Sequence, residues 1–199
     1  MKYQEIAERI IELKKKDLAL RNQLIEAKQL GDGYNEAMAQ LHNQNAEALD
    51  AIIDQIGYPT VDNVGKAASA AAWLVIQHSI GQPSFMKKCA ELLQQEGLDS
   101  QVSQRELAYL SDRIAVFEGK RQRYGTQFDW DENGVLSPHP FDDVSQVNQR
   151  RKAIGLNSLE EQLIIIREQA QQEHQLPPKD FAKRKKAILE WKKAVGWIK

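Results

Sequence analysis

The sequence predicts a mainly α-helical fold, a single-domain helical bundle of about seven or eight helices with one small β-hairpin. Three observations predict it. Apolar residues recur at three- and four-residue spacing through long stretches. Glycine and proline punctuate the intervals between them. Only around Asn133-Gly134 does the pattern change to aromatic and β-branched residues flanking a tight turn.

Residues 3–30 read as one long helix, with Ile6, Ile10, Leu13, Leu20, Leu24 and Ile25 near helical spacing, and Gly31-Asp32-Gly33 as its stop. A second helix is expected at about 34–56 from Met38, Leu41, Leu49, Ile52, Ile53 and Ile56. In Gly57-Tyr58-Pro59-Thr60 the glycine suits a left-handed helix end, the proline ends the helix, and Thr60 can cap the next one. Residues 64–79 are apolar on nearly every side (Ala67, Ala68, Ala70, Ala71, Ala72, Trp73, Leu74, Val75, Ile76), which reads as a buried central helix. A helix at about 84–96 follows, and Ser103 with Glu106 reads as a capping box opening a helix to about 118.

Phe128 and Trp130, then Asn133-Gly134, then Val135 and Leu136 form the hairpin, ended by Pro138 and Pro140. A short helix at about 142–154 leads to Gly155, and a second capping box, Ser158 to Glu161, opens a helix to about 174. Pro177-Pro178 separates a last basic helix. The expected organisation is therefore a helical domain over 1–176 and an amphipathic arm over 177–199, docked through Phe181, Ile188, Trp191, Val195 and Ile198 on the body or on a second copy. Binding of that arm to an anionic membrane surface or nucleic acid is the competing reading.

Composition bounds the function. With 28% charged and 42% hydrophobic residues the chain is an ordinary soluble globular sequence. A net charge of -1 gives no strong nucleic-acid signal, although residues 179–199 hold seven Lys and one Arg against Asp180 and Glu190. One cysteine, Cys89, excludes an internal disulfide framework and fits a reducing compartment. No apolar signal core follows Met1, and the apolar run from Ala67 to Ile76 is about half what a bilayer span needs, so a cytoplasmic location and no transmembrane segment are expected. His42, His78, His139 and His174 show no metal spacing, and no phosphate-cradling glycine loop or nucleophile elbow occurs, so neither a metal nor a cofactor is expected. Asp129 to Leu136 imitates a calcium loop, but Pro140 stands where its bidentate Glu belongs, which favours a plain hairpin.

The informative residues are polar groups among apolar neighbours. Asp112 on a helix would touch Ala108, Tyr109, Ala115 and Val116, and Arg113 would touch Tyr109, Leu110, Val116 and Phe117. Neither set holds an opposite charge, so both groups need partners from other segments or a wet pocket. Gln77-His78 ends the central apolar helix, and Tyr124-Gly125-Thr126-Gln127 places a donor or acceptor at nearly every step.

These segments also resemble the motifs of a bacterial family catalogued as a domain of unknown function. The likeness rests on Gly57-Tyr58-Pro59-Thr60, Ala71-Ala72-Trp73-Leu74 with Gln77-His78, Leu110-Ser111-Asp112-Arg113, Tyr124-Gly125-Thr126-Gln127, the Pro138 and Pro140 pair, Arg150-Arg151 and Gly155-Leu156, over roughly residues 42–165. Asn45 matches a family asparagine twelve positions before the glycine. Tyr58 replaces the usual tryptophan, His42 stands where an acidic residue is common, and Ser79-Ile80 replaces a small residue and Asp, so His42 is a poor candidate for a shared role. The resemblance implies no activity.

The leading expectation is a small hydrolase or group-transfer enzyme acting on an anionic or polar small substrate. His78 would be its acid or base and Asp112 the orienter, with Gln77, Arg113, Tyr124, Gln127, Asn45, Tyr58 and Arg150 binding substrate. Arg151, Arg121 and Arg123 could complete an anion pocket. His78 could equally be a satisfied core histidine, and Asp112 and Arg113 a structural network pinning the hairpin. The alternative function is a non-enzymatic binding or protein-interaction module using the first or the basic last helix, as a homo-oligomer or with another protein.

Overall fold

Helical periodicity is realised nearly throughout. The computed structural model describes residues 2–29, 34–95 and 101–199. Among them are nine helices and one two-stranded antiparallel sheet, a mainly α fold. The helices exceed the expected number because Val61–Val64 forms a one-turn helix of its own. No helix among the described residues is long and apolar enough to cross a membrane. The contact pattern divides the chain into two compact units, Met1–Glu96 and Gly97–Lys199.

The first unit holds α1 (Gln4–Glu26), α2 (Glu36–Ile56), α3 (Val61–Val64), α4 (Lys66–His78) and α5 (Pro83–Gln95). The expected stop at Gly31-Asp32-Gly33 lies outside the described residues. Gly57 takes φ +77° at the end of α2, and the Thr60 side chain accepts a hydrogen bond from Asn63 N–H to cap α3. The α4 helix packs chiefly against α1, with α2, α3 and α5 also in contact. Ala68, Ala71, Ala72, Val75 and Ile76 are buried on it. Its amino-terminal half is less enclosed than its composition suggested, since Ala67 and Ala70 are exposed. Small side chains at the buried positions let α1 approach closely, which matters for what α1 carries on that face.

The second unit holds α6 (Gln101–Phe117), β1 (Phe128–Trp130), β2 (Leu136–Pro138), α7 (Val144–Ala153), α8 (Leu159–Gln172) and α9 (Phe181–Ala194). The helix α6 already runs from Gln101, so Ser103 and Glu106 lie within it and do not form its cap. The Ser158–Glu161 capping box at α8 is present in both directions. In the hairpin Asp129 faces Ser137 and Trp130 faces Leu136. Asp131 closes the turn by accepting from Asn133 and Val135 N–H through one carboxylate oxygen. Asp129 is likewise occupied, by Trp130 N–H and the Arg184 guanidinium, so the calcium-like pattern is hairpin chemistry. The α9 arm lies against the end of α6: Phe117 stacks on Trp197 at 5.0 Å and meets Trp191 edge-on, while Lys192 donates to the Val116 carbonyl.

Candidate functional site

The expected site residues fall into two groups, one in each unit. In the second unit they converge on the segment after α6. Asp112 is 1% exposed and unprotected by any helical counter-charge. Its two oxygens accept from the backbone N–H of Arg123, Tyr124 and Thr126 and from the Thr126 hydroxyl, at 2.8 to 3.2 Å. Burial pushes its carboxyl above the ordinary value even though these hydrogen bonds pull the other way. Arg113 donates to the Gln127 side chain at 3.0 Å, and Gln127 in turn donates to the Thr126 hydroxyl. Gln122, fully buried, accepts from Gln127 N–H and donates to the Gln127 and His139 carbonyls.

The arginines complete this cluster from α7. Arg151 is fully buried and donates to the Tyr124 and Gly125 carbonyls and to Asn157. Arg150 donates to the Arg123 carbonyl, Asp142 and Gln146. Arg121 donates to the Phe141 carbonyl. Carboxylate, amide and guanidinium groups thus meet in this unit. They meet on one another and on the backbone of the Tyr124–Gln127 turn, as a closed network pinning that turn to α6 and α7. Two cavities of this unit lie beside the hairpin. One of about 430 Å³ runs between the hairpin and α9, lined by Asp129, Trp130, His139, Phe181, Arg184 and Lys192 among others.

The other group is in the first unit. His78, expected to pair with Asp112, has a carboxylate beside it within its own unit. Its Nδ1 lies 2.9 Å from Oδ2 of Asp17, 61 positions earlier in the chain. His42, set aside on the sequence, brings its Nε2 to 3.0 Å of that same oxygen. The two imidazole centroids stand 4.9 Å apart. Beyond them the Tyr34 hydroxyl is hydrogen-bonded to His42 Nδ1 at 2.6 Å. The donor atoms of Asp17, His42 and His78 all lie within 4.8 Å of one another.

Three helices build this centre. Asp17 sits at the middle of α1 in the stripe Ile6, Ile10, Leu13, Leu20, Leu24, filling its one gap. It is 0% exposed. His42 and Asn45 occupy the buried stripe of α2 between Met38 and Leu49. His78 is the last residue of α4, where the helix end leaves its side chain 33% exposed. Asn45 donates to the Leu13 carbonyl at 3.2 Å and so fastens α2 to α1 one turn from the centre. Tyr58 is buried in the same unit, and Gln77 is half-buried beside His78.

The electrostatics follow from this placement. Burial pushes the Asp17 carboxyl up, but the close imidazoles of His42 and His78 outweigh it and hold the group well below the ordinary carboxylate range. Asp17 is therefore ionised. Tyr34 is pushed well above its usual value by burial and by the Asp17 charge, so its hydroxyl keeps its proton. Two atoms stay short of partners: Asp17 Oδ1 is buried with no hydrogen bond, and His42 Nε2, though close to Oδ2, lacks hydrogen-bond geometry. Cys89 is buried in this unit with its thiol pushed up to about 12 by burial, which suits an inert core residue and no nucleophile.

Sequence reasoning missed Asp17, His42 and Tyr34. The signal available was position: an acid and an imidazole each stand on the apolar stripe of their helix, where polar residues are expensive.

Against known families, the model of DUF6624, a family of unknown function, matches residues 4–173. No curated protein and no solved structure matches the chain.

Proposed function

We propose, for a chain that belongs to DUF6624, a family of unknown function, that Asp17, His42 and His78 form the working centre of a small hydrolase or group-transfer enzyme acting on a polar or anionic small substrate. The observation that carries this is one fully buried carboxylate held at 2.9 and 3.0 Å by two imidazoles, one of which reaches solvent. A core histidine with no task has no need of a charged acceptor inside an apolar stripe, where ionised groups are costly.

The geometry supports proton transfer at His78. An ionised Asp17 only accepts, so His78 Nδ1 carries the proton facing it. The lone pair of the neutral ring then lies on Nε2, the nitrogen that does not face Asp17. Such a nitrogen takes a proton from water or a substrate hydroxyl and returns it to a leaving group. Asp17 orients the ring and stabilises the imidazolium once it forms. His42 stands 3.0 Å from the same Asp17 oxygen on the buried side, and Tyr34 is hydrogen-bonded to His42. Gln77, adjacent in sequence to His78 and half-buried, is the substrate-facing candidate in this unit, while Asn45, buried and donating to the Leu13 carbonyl, ties α2 to α1. Asp112, Arg113, Tyr124, Gln127 and Arg150 act in this reading by shaping the second unit.

The test is turnover of a panel of simple esters, amides, phosphoesters and glycosides by the full chain, its His78→Gln variant and its Asp17→Asn variant. Hydrolysis of one class that falls roughly 10²–10⁴-fold in His78→Gln, with the helical circular dichroism unchanged, supports the reading. Equal turnover by all three proteins refutes it.

A second reading, an interaction module, draws support from exposed apolar side chains on the outer faces of α8 and α9: Ile164, Ile165 and Leu189. Pull-down of a partner that is lost on Ile164→Glu, without loss of the fold, would favour it.

A further inference from the structure

Two buried atoms of the centre lack hydrogen bonds, Asp17 Oδ1 and His42 Nε2. A buried, ionised carboxylate has room for about four hydrogen bonds, yet Asp17 Oδ1 receives none. His42 Nε2 stands 3.0 Å from Oδ2 without the alignment of a hydrogen bond. Leaving one buried polar atom unpaired costs about 1–3 kcal/mol, and more for a charged group. These two side chains and His78 each bring a ligand atom within 4.8 Å of the others, an arrangement that a shared cation relieves.

We propose that Asp17, His42 and His78 bind a divalent transition-metal ion of the zinc type. The proposal rests on reading this centre as functional and adds to it a cofactor. Two imidazole nitrogens and one carboxylate oxygen are a donor set for borderline metals; Mg²⁺ and Ca²⁺ take oxygen. Ligands bound at about 2.0–2.2 Å in a tetrahedral shell stand roughly 3.3 Å apart. The observed N–O separations of 2.9 and 3.0 Å need to open by only a few tenths of an ångström. The surroundings also fit. When His42 Nδ1–H donates to the Tyr34 oxygen, the lone pair on Nε2 is freed for the metal, and Tyr34 fixes the ring as outer partners of metal-bound histidines do. The 33% exposure of His78 leaves an open side for water or substrate. A bound ion occupies the His78 nitrogen that otherwise faces Asp17, so the ion-loaded and proton-transfer forms of the centre are separable by experiment.

The full chain, stripped with chelator and dialysed, is titrated with Co²⁺ and Zn²⁺ by calorimetry, with Mg²⁺ as the comparison and the visible Co²⁺ spectrum as a second readout. The expected result is one equivalent of Co²⁺ or Zn²⁺, tetrahedral-type Co²⁺ bands, and a melting temperature that rises with metal concentration. His42→Gln and His78→Gln should each weaken binding at least tenfold, and Tyr34→Phe about tenfold. A His139→Gln, His174→Gln double variant should bind as the parent does. Where a centre variant fails to fold, Co²⁺-shifted histidine ring proton signals of the parent chain report the ligands directly. The proposal is overturned if no single equivalent binds, if Mg²⁺ competes equally, if His42→Gln and His78→Gln bind unchanged, or if the shifted signals come from other histidines. Absent metal binding with His78-dependent turnover intact overturns the ion and spares the proton-transfer reading. One bound equivalent with no turnover on any substrate supports the ion and counts against the enzyme.

Discussion

The Asp17 carboxylate reaches the His78 imidazole at 2.9 Å through the same oxygen that His42 approaches. One oxygen therefore joins α1, α2 and α4, and the residue at position 17 is under two demands, a structural one from the apolar stripe and a chemical one from the imidazoles.

Those demands can be pulled apart. Asp17→Ala should cost about 2–4 kcal/mol in urea unfolding, because it leaves two imidazoles without their acceptor and a void between helices. Asp17→Leu restores apolar volume at a stripe position and should cost less, while losing every activity or ligand of the centre. Leucine proving more damaging than alanine would mean that the carboxylate holds the helices together and has no other task.

Asp112 should be the more important carboxylate for folding. Its removal strands three backbone N–H groups and the Thr126 hydroxyl at once. Asp112→Ala is expected to lose about 3–5 kcal/mol in chemical unfolding, and Asp112→Asn less, since its amide oxygen keeps part of the set. A loss under about 1 kcal/mol for alanine would show that the turn is held by Arg151 and Gln122 without it.

Glu106, on α6, has its carboxyl pushed up to about 7 by burial, from an ordinary value of 4.5. The native chain then keeps a proton that the unfolded chain releases between these values, so stability falls as pH rises from about 4.5 to about 7 and levels off above. The side chain retains some solvent access, and screening limits the effect to roughly 1 kcal/mol. Glu106→Gln should flatten that part of the melting-temperature profile. An unchanged slope would assign it to another group.

Much of the fold was legible because its determinants are local. The Thr60 cap, the Ser158–Glu161 box and the Asn133-Gly134 hairpin depend on residues a few positions apart. Ser103 misled for the same reason: a serine three residues before a glutamate fits a cap, but it also fits the inside of a helix that already runs from Gln101. The Asp112 network could be suspected, because two charges interrupt an apolar helix and a polar tetrapeptide follows within fifteen residues. The Asp17–His42–His78 centre could not be assembled in this way. Helical period says that positions 17 and 42 face inward, but which inward faces meet is decided by packing of α1, α2 and α4, which no spacing encodes. The imidazole at 78 was singled out from the sequence; the carboxylate beside it, Asp17, was not.

The position of that carboxylate has a practical sequel. Both imidazoles come from α2 and α4, whereas Asp17 lies midway along α1. An expression clone begun at residue 34 would keep both imidazoles and still be blunt, with the acidic arm of its centre left behind on the bench.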